Sequence, residues 1–330
     1  MLLKAKEFKS SIMLLMAALI WGFAFVAQRV GVRYIGSFTL NGVRFALGAL
    51  SMLPLIIYLK RKRTASGIGG SISVYSADAE EQIEIKDQGI MENQNELKRM
   101  DKPFKLPAVK AGITAGLVLF IAATLQQLGL EETTAGKAAF ITGFYIILVP
   151  IFGVFLKQKT GKSTWVAAVL AIAGLYLISV NDGSKVSGGD LLELAGSFFW
   201  TLHILLIYRF TQRVDVLELS FIQYMTCSAL SLGFAIFLED ISIHGIAQAL
   251  VPILYGGIAS VGIAYTLQAF GQKHAKPSHA SVIMSLESLF AALGGLLILG
   301  EVMEIKGYIG CALMLTGVIV SQTGTAIKNP

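Results

Sequence analysis

One acidic residue of this chain has unusually apolar neighbours in the sequence. Glu287 is the only acidic residue that lies well inside an uninterrupted apolar run, and on a helix its face would carry mostly small side chains such as Ala291 and Gly294. A carboxylate in hydrocarbon costs about 2.5 kcal/mol or more, so it persists only beside a cavity or a partner. Glu287 could therefore bind and release a proton at an internal site. The alternative is an ion pair that joins two helices.

The sequence also places one cation well inside an apolar run. Arg44 has Asn41 one turn earlier on the same helical face. Arg44 could bind an anion in a vestibule, or it could form a structural ion pair with Glu131 or Glu132. Further side chains that could line a cavity, or form hydrogen bonds between helices, are Trp21, Gln126, Tyr145, His203, Gln223, Tyr265 and Gln268.

Motifs of several enzyme classes are absent from the sequence. It contains no GxxxxGK[ST] run, which excludes an ATP-driven pump in one chain, and no HExxH or GxSxG pattern of a hydrolase. Cys227 and Cys311 have no partner spacing for zinc or for a disulfide framework. The sequence therefore predicts that the protein is not an enzyme and that it has no catalytic residue, metal site or cofactor.

The composition indicates that a lipid bilayer surrounds these candidate residues. The chain is 55% hydrophobic and 15% charged, and its mean hydropathy is +0.68. This is more apolar surface than one soluble core of this size would bury. The net charge of +6 does not favour nucleic acid as a partner, because the basic residues cluster beside apolar runs.

Ten apolar windows are long enough for a helix to cross about 30 Å of hydrocarbon. The predicted spans are 11–30, 38–59, 107–129, 134–156, 164–180, 190–208, 218–238, 250–270, 279–299 and 306–323. Most of the 27 lysine and arginine residues fall on the side of the amino terminus, which predicts that both termini are cytoplasmic. Residues 60–106 are polar and predict a disordered cytoplasmic loop, which is either a linker or a segment that binds lipid headgroups.

The two halves of the chain resemble each other. Trp21 corresponds to Trp200 at an offset of 179 residues, whereas Gln126 and Gln268, like Tyr145 and Glu287, correspond at an offset of 142. The long loop of the first half accounts for the change of offset. Residues 1–180 and 181–330 are therefore predicted to be two repeats. Each has five spans, an odd number, so the second repeat would be inverted in the membrane relative to the first.

The order of short motifs resembles the drug/metabolite transporter superfamily and, within it, the EamA-type ten-helix transporters. The motifs are Ile20 to Gly22, Val43 to Phe45, Thr134 to Ala138, Gly300 with Glu301, and the region of Gly317. This resemblance implies a plasma-membrane carrier without its own ATPase that exports small metabolites or drugs from a central cavity.

These observations together predict an all-α integral membrane protein with ten transmembrane helices in two inverted five-helix repeats. The predicted function is secondary active export of a small molecule by alternating access, with protons as a possible coupling ion. The alternatives are a facilitative or uptake carrier for a sugar or nucleoside, and a membrane scaffold that transports nothing. Ten spans can enclose a cavity without a second copy, so a monomer and a homodimer are both compatible with the sequence.

Overall fold

The computed structural model describes residues 2–66, 106–155, 161–179, 187–300 and 305–326, and this part of the chain is helical without strands. The α-helices are α1 (Leu2–Gly31), α2 (Ser37–Ser66), α3 (Leu106–Glu132), α4 (Ala135–Thr142), α5 (Tyr145–Phe155), α6 (Lys162–Ser179), α7 (Gly188–Thr211), α8 (Val216–Leu238), α9 (Ile243–Gln248), α10 (Leu250–Leu254), α11 (Thr266–Gln272), α12 (Pro277–Met284), α13 (Glu287–Gly294) and α14 (Ile305–Ala326). Two π-helical segments, Tyr255–Tyr265 and Gly295–Leu299, continue α10 and α13.

Eight helical stretches of the described chain are long and apolar enough to cross a membrane. Two shorter apolar helices, Lys162–Gly174 and Ile305–Ser321, belong to α6 and α14, which pack against each other. The protein is therefore an all-α membrane protein. Within the described residues all ten predicted windows fall on helices, but the exact number of crossings stays a prediction.

One predicted boundary was wrong. The polar loop was expected from residue 60, but α2 continues through the basic cluster to Ser66. Lysine and arginine are good helix formers, so the helix need not end where the apolar window ends. Residues 67–105 of this predicted loop, like Glu301, lie outside the described residues.

Hydrogen bonds between helix ends define two faces of the bundle. Face 1 contains residues 29–39, 130–135, 187–190 and 239. There the Arg29 guanidinium donates to the backbone oxygens of Leu130 and Glu131. The backbone N–H groups of Phe38 and Thr39 donate to the Glu239 carboxylate. Face 2 contains residues 10, 211–213 and 271–277. There Ser10 Oγ donates to Gly271 O at 2.5 Å, and Gln212 Nε2 donates to Lys273 O at 2.8 Å. Helix α1 therefore runs from face 2 to face 1.

Packing partners are exchanged between the two halves. Helix α3 packs against α7 and α8, while the π-helical segment Tyr255–Tyr265 packs against α1 and α2. Under the predicted repeat α7 is the counterpart of α1, and α8 is the counterpart of α2. This exchange is what a pair of intertwined repeats would produce, although the opposite orientation of the halves stays a prediction.

Two predicted spans are interrupted near their middle. The window 134–156 divides into α4 and α5, and the window 279–299 divides into α12 and α13. At the first interruption the Phe144 N–H donates to Ile141 O, and at the second the Leu286 N–H donates to Ile283 O. These i→i−3 bonds replace the normal i→i−4 bonds at positions that differ by 142 residues. The sequence predicted continuous helices here.

Candidate functional site

A cavity with an empty volume of about 440 Å³ lies between the helices that carry the two interruptions and their neighbours. The residues that line it are Trp21, Phe25, Gln28, Arg44, Gln126, Thr142, Tyr145, Trp200, Ile204, Ser260, Tyr265, Gln268, Met284 and Glu287. Seven of the ten candidate residues from the sequence are among them. The other three, Asn41, His203 and Gln223, lie behind this lining.

The central polar contact joins the two interrupted helices. Tyr145 is the first residue of α5 and Glu287 is the first residue of α13. The Tyr145 hydroxyl donates a hydrogen bond to Glu287 Oε1 at 2.9 Å, and the Glu287 side chain is only 5% exposed. In the described part of the chain Glu287 has no salt bridge, so the alternative of an ion pair that joins helices is not what the structure contains.

Arg44 lies at the cavity without a carboxylate partner among the described residues. Its Nε donates to Asn41 Oδ1 at 2.9 Å, its guanidinium lies 4.9 Å from the centre of the Phe45 ring, and its side chain is 2% exposed. The ion pair with Glu131 or Glu132, which the sequence left open, is not formed. Glu131 accepts from Ser37 Oγ at 2.5 Å and Glu132 accepts from the Gly189 N–H at 2.8 Å.

Aromatic rings form one wall of the cavity. The Tyr265 ring lies 4.7 Å from the Trp21 ring and 6.0 Å from the Trp200 ring, measured between ring centres. Trp200 Nε1 donates to Gln126 Oε1 at 2.9 Å. Trp21 Nε1 is buried and has no hydrogen-bond partner in the described structure, so it is a donor that a bound molecule could use.

His203 and Gln223 support this wall from behind. His203 Nε2 and Gln223 Oε1 are 3.0 Å apart, and both side chains are buried. The His203 ring meets the rings of Trp200 and Tyr265 edge to face at 5.9 Å and 6.3 Å between centres. Their position favours a role in holding the aromatic rings in place.

Glu287 is not the only carboxyl group buried near the cavity, although the sequence analysis selected no other. Glu193 on α7 is 0% exposed, its Oε2 accepts from Thr142 Oγ1 at 2.9 Å, and its Oε1 is buried without a hydrogen-bond partner in the described structure. The sequence analysis missed it because it lies near the start of its window. Its spacing of seven residues from Trp200, which places both on one helical face, could have indicated it.

The architecture defines a multi-pass helical membrane protein with an internal, partly polar binding cavity. The chain belongs to the EamA-like transporter family, whose sequence model matches residues 8–76, 96–180 and 187–323. The family predicted from the short motifs is thereby confirmed. The protein is a membrane transporter, and its partners are accordingly the lipid bilayer and a small-molecule substrate.

Individual relatives extend over nearly the whole chain. An "Uncharacterized transporter" of Archaeoglobus fulgidus is 27% identical over 316 residues, which are 96% of this chain and 86% of that protein. "Uncharacterized transporter YoaV" of Bacillus subtilis is 21% identical and covers 92% of this chain and 93% of its own. A protein crystal structure with 17% identity superposes with a TM-score of 0.69 over 97% of this chain and 99% of that one, which shows a shared fold.

Proposed function

We propose that this transporter is a secondary active exporter of a small organic solute that works by alternating access and uses protons as the coupling ion at Glu287. The observation that carries this proposal is the bond between Tyr145 and Glu287. It joins the first residues of two half-helices inside the cavity, and it involves no cation. Interrupted helices that meet at a central site are typical of transporters that alternate between two faces.

Protonation would act on the contact that joins the two half-helices. An ionised Glu287 accepts the Tyr145 hydrogen bond with a full negative charge, and such charge-assisted bonds are roughly twice as strong as neutral ones. A protonated Glu287 loses this charge and gains an O–H donor that can turn toward a bound solute or another acceptor. Protonation of Glu287 thus changes the strength of its hydrogen bond with Tyr145, which joins the two interrupted helices. The short segments with i→i−3 hydrogen bonds at the interruptions can act as hinges.

The cavity also offers groups for a solute. Arg44 could hold an anionic or carbonyl group, the Trp21 N–H and Gln268 could donate hydrogen bonds, and the aromatic wall suits a flat or apolar part. Export across the plasma membrane is proposed from the family resemblance. The cytoplasmic position of both termini is proposed from the basic residues beside face 2, such as Arg213 and Lys273. Ten spans in two inverted repeats are part of the same proposal.

The experiment begins with a thermal-shift screen of the purified protein against amino acids, sugars, nucleosides and cationic drugs, because a ligand stabilises the folded state. The hit is then followed in proteoliposomes. Glu287→Gln is expected to abolish uphill transport driven by a pH gradient while counterflow of labelled solute continues. Glu7→Gln, at an exposed carboxylate of α1, is the matched control and should behave as the wild type.

Two outcomes would contradict the proposal. Undiminished uphill transport by Glu287→Gln would exclude proton coupling at this residue. Wild-type counterflow without any proton movement would instead indicate the facilitative carrier that the sequence left as the alternative.

A further inference from the structure

We propose that Glu193 and Thr142 form a proton route between face 1 and Glu287. The proposal rests on the proposed function of Glu287 as a proton site, and it adds the path by which the proton arrives or leaves. It concerns two side chains, on α7 and α4, that the sequence analysis did not select.

The residues of this route lie at successive depths below face 1. With a rise of about 1.5 Å per residue, Glu193 is about 7.5 Å from the start of α7 at Gly188, and Thr142 is about 10 Å from the start of α4 at Ala135. Tyr145, with Glu287 bonded to it, lies about 15 Å from that start, which is half the thickness of a hydrocarbon core of about 30 Å. The polar groups therefore descend from face 1 to the middle of the membrane.

The second observation is the unsatisfied oxygen of Glu193. This side chain is fully buried, yet Oε1 has no hydrogen-bond partner among the described residues, and only Oε2 is bonded, to Thr142. An ionised carboxylate left half unpaired in such a place costs several kcal/mol. A proton on Oε1 removes that charge, so Oε1 is a position where a proton can reside.

The end of the route at face 1 has its own charged groups. Asp190 lies one turn above Glu193 and is bonded to Lys137 Nζ at 2.6 Å, to Thr133 Oγ1 at 3.0 Å and to the Ser187 N–H at 2.8 Å. This ion pair is partly exposed through the 23% exposed Lys137 side chain. The titratable groups that act on Glu193 are Asp190 on α7 and Glu287 on α13. Of the neighbouring titratable groups, Lys137 on α4 is bonded to Asp190, Tyr145 on α5 is bonded to Glu287, and Glu132 on α3 is bonded to the Gly189 N–H.

The transfer moves one proton at each step and no electrons. The relay starts from a Glu193 that is protonated on Oε1, and its proton movements are concerted. The Thr142 hydroxyl passes its proton to Glu193 Oε2, in the observed direction of the hydrogen bond, while its oxygen takes up another proton, and the proton on Oε1 leaves toward face 1. Thr142 lines the cavity together with Glu287, so its oxygen regains a proton from a cavity water that Glu287 has protonated. The same steps in reverse order carry a proton from face 1 to Glu287.

The test follows the protonation of Glu287 after a rapid pH jump, and the probe is the proton itself. Purified protein is observed by time-resolved infrared difference spectroscopy of the carboxylic C=O stretch, and the band that Glu287→Gln removes is assigned to Glu287. Glu193→Gln and Thr142→Val should slow the appearance of this band by about tenfold or more, because a positioned proton donor is lost. Thr142→Ser keeps a hydroxyl and should retain the wild-type rate.

Other results would overturn the route. Wild-type rates in both Glu193→Gln and Thr142→Val would do so, as would a shifted titration midpoint at an unchanged rate, since Glu193 would then be only an electrostatic neighbour. A Glu287 band that never responds to pH would also refute it. Failure of the proposed function is distinguishable, because slowed protonation can occur in a protein whose uphill transport does not depend on Glu287.

Discussion

The region around Glu193 near face 1 and the region around Leu14 near face 2 correspond under the predicted repeat but differ in chemistry. They are called the corner at face 1 and the corner at face 2. Near face 1, Glu193 bonds to Thr142 and packs so closely on α3 that a Cβ at Gly129 would lie 2.8 Å from Glu193 Cγ. Near face 2, the counterpart of Glu193 is Leu14, and a Cβ at Gly271 would lie 2.8 Å from Leu14 Cγ. The counterpart of Thr142 there is Met284, which is in the same apolar core cluster as Leu14.

The backbone arrangement is thus nearly the same at both corners, while the side chains differ. The proposed proton route passes through the corner at face 1, whereas the corner at face 2 is packed with apolar side chains. Glu287 and Tyr145 differ in the same way at the centre. Under the proposed alternating access, a proton site at Glu287 needs a connection to each face, and only the connection to face 1 has polar side chains. At face 2 the proton would have to leave through the opened cavity, together with the solute.

The largest expected effect comes from making the face 2 corner acidic. Leu14→Glu buries a carboxyl group in the apolar cluster that also contains Met284, and we expect it to lower the free energy of unfolding by about 3–5 kcal/mol. Thermal unfolding in detergent measures this effect. Adding Met284→Thr supplies the missing donor and should recover about 1 kcal/mol.

The reverse exchange is the control for this prediction. Glu193→Leu combined with Thr142→Met copies the apolar corner onto face 1, and it should leave the free energy of unfolding within about 1 kcal/mol of the wild type, because a buried polar pair contributes little net stability. If Leu14→Glu were as stable as this double variant, the two corners would not differ in the way described.

A smaller effect is expected from replacing the glycine at each corner, Gly129 or Gly271, by alanine. At Gly129 an added Cβ would lie 2.9 Å from the backbone oxygen of Gly189, whereas at Gly271 the nearest backbone oxygen is that of Ser10 at 3.2 Å. Gly129→Ala should therefore lower the free energy of unfolding by about 1–3 kcal/mol. Gly271→Ala should cost less, since the flexible Leu14 side chain can shift.

Chemical denaturation of both alanine variants checks this order. Gly129→Ala should also slow the protonation of Glu287, because it displaces Glu193, and Gly271→Ala should not. Equal stabilities, or slowed protonation in Gly271→Ala alone, would contradict the assignment of the two corners.

The sequence predicted many of the residues that meet at the cavity, because the predicted repeat relates them to one another. The offset of 142 relates Gln126 to Gln268 and Tyr145 to Glu287, and all four side chains line one cavity. Such pairs can be found because related halves keep their register even where residue types change. The membrane class and the family were predictable for a simpler reason, since long apolar windows have few alternatives to a spanning helix.

Other features depend on tertiary contacts and were not predictable. The two helix interruptions occur at Gly143 and at Ser285, and similar residues elsewhere lie inside regular helices. An ion pair of Arg44 with Glu131 or Glu132 was one of the two alternatives for this residue, but Ser37 and the backbone of Gly189 bond to those carboxylates instead. Composition does not reveal which of several available partners a side chain will take.

The smallest expected effect distinguishes the two tryptophans of the aromatic wall. Trp200→Phe removes the hydrogen bond to Gln126 and leaves its Oε1 buried without that donor, whereas Trp21 Nε1 has no partner to lose in the described structure. We therefore expect Trp200→Phe to lower the free energy of unfolding by about 1 kcal/mol more than Trp21→Phe. Both changes remove the same atoms from equivalent positions, so their difference in thermal stability without ligand isolates the hydrogen bond. Trp21→Phe should instead weaken solute binding, because it removes an unpaired N–H donor from a residue that lines the cavity. Equal stabilities of the two variants would mean that Trp21 and Trp200 contribute equally to the free energy of unfolding.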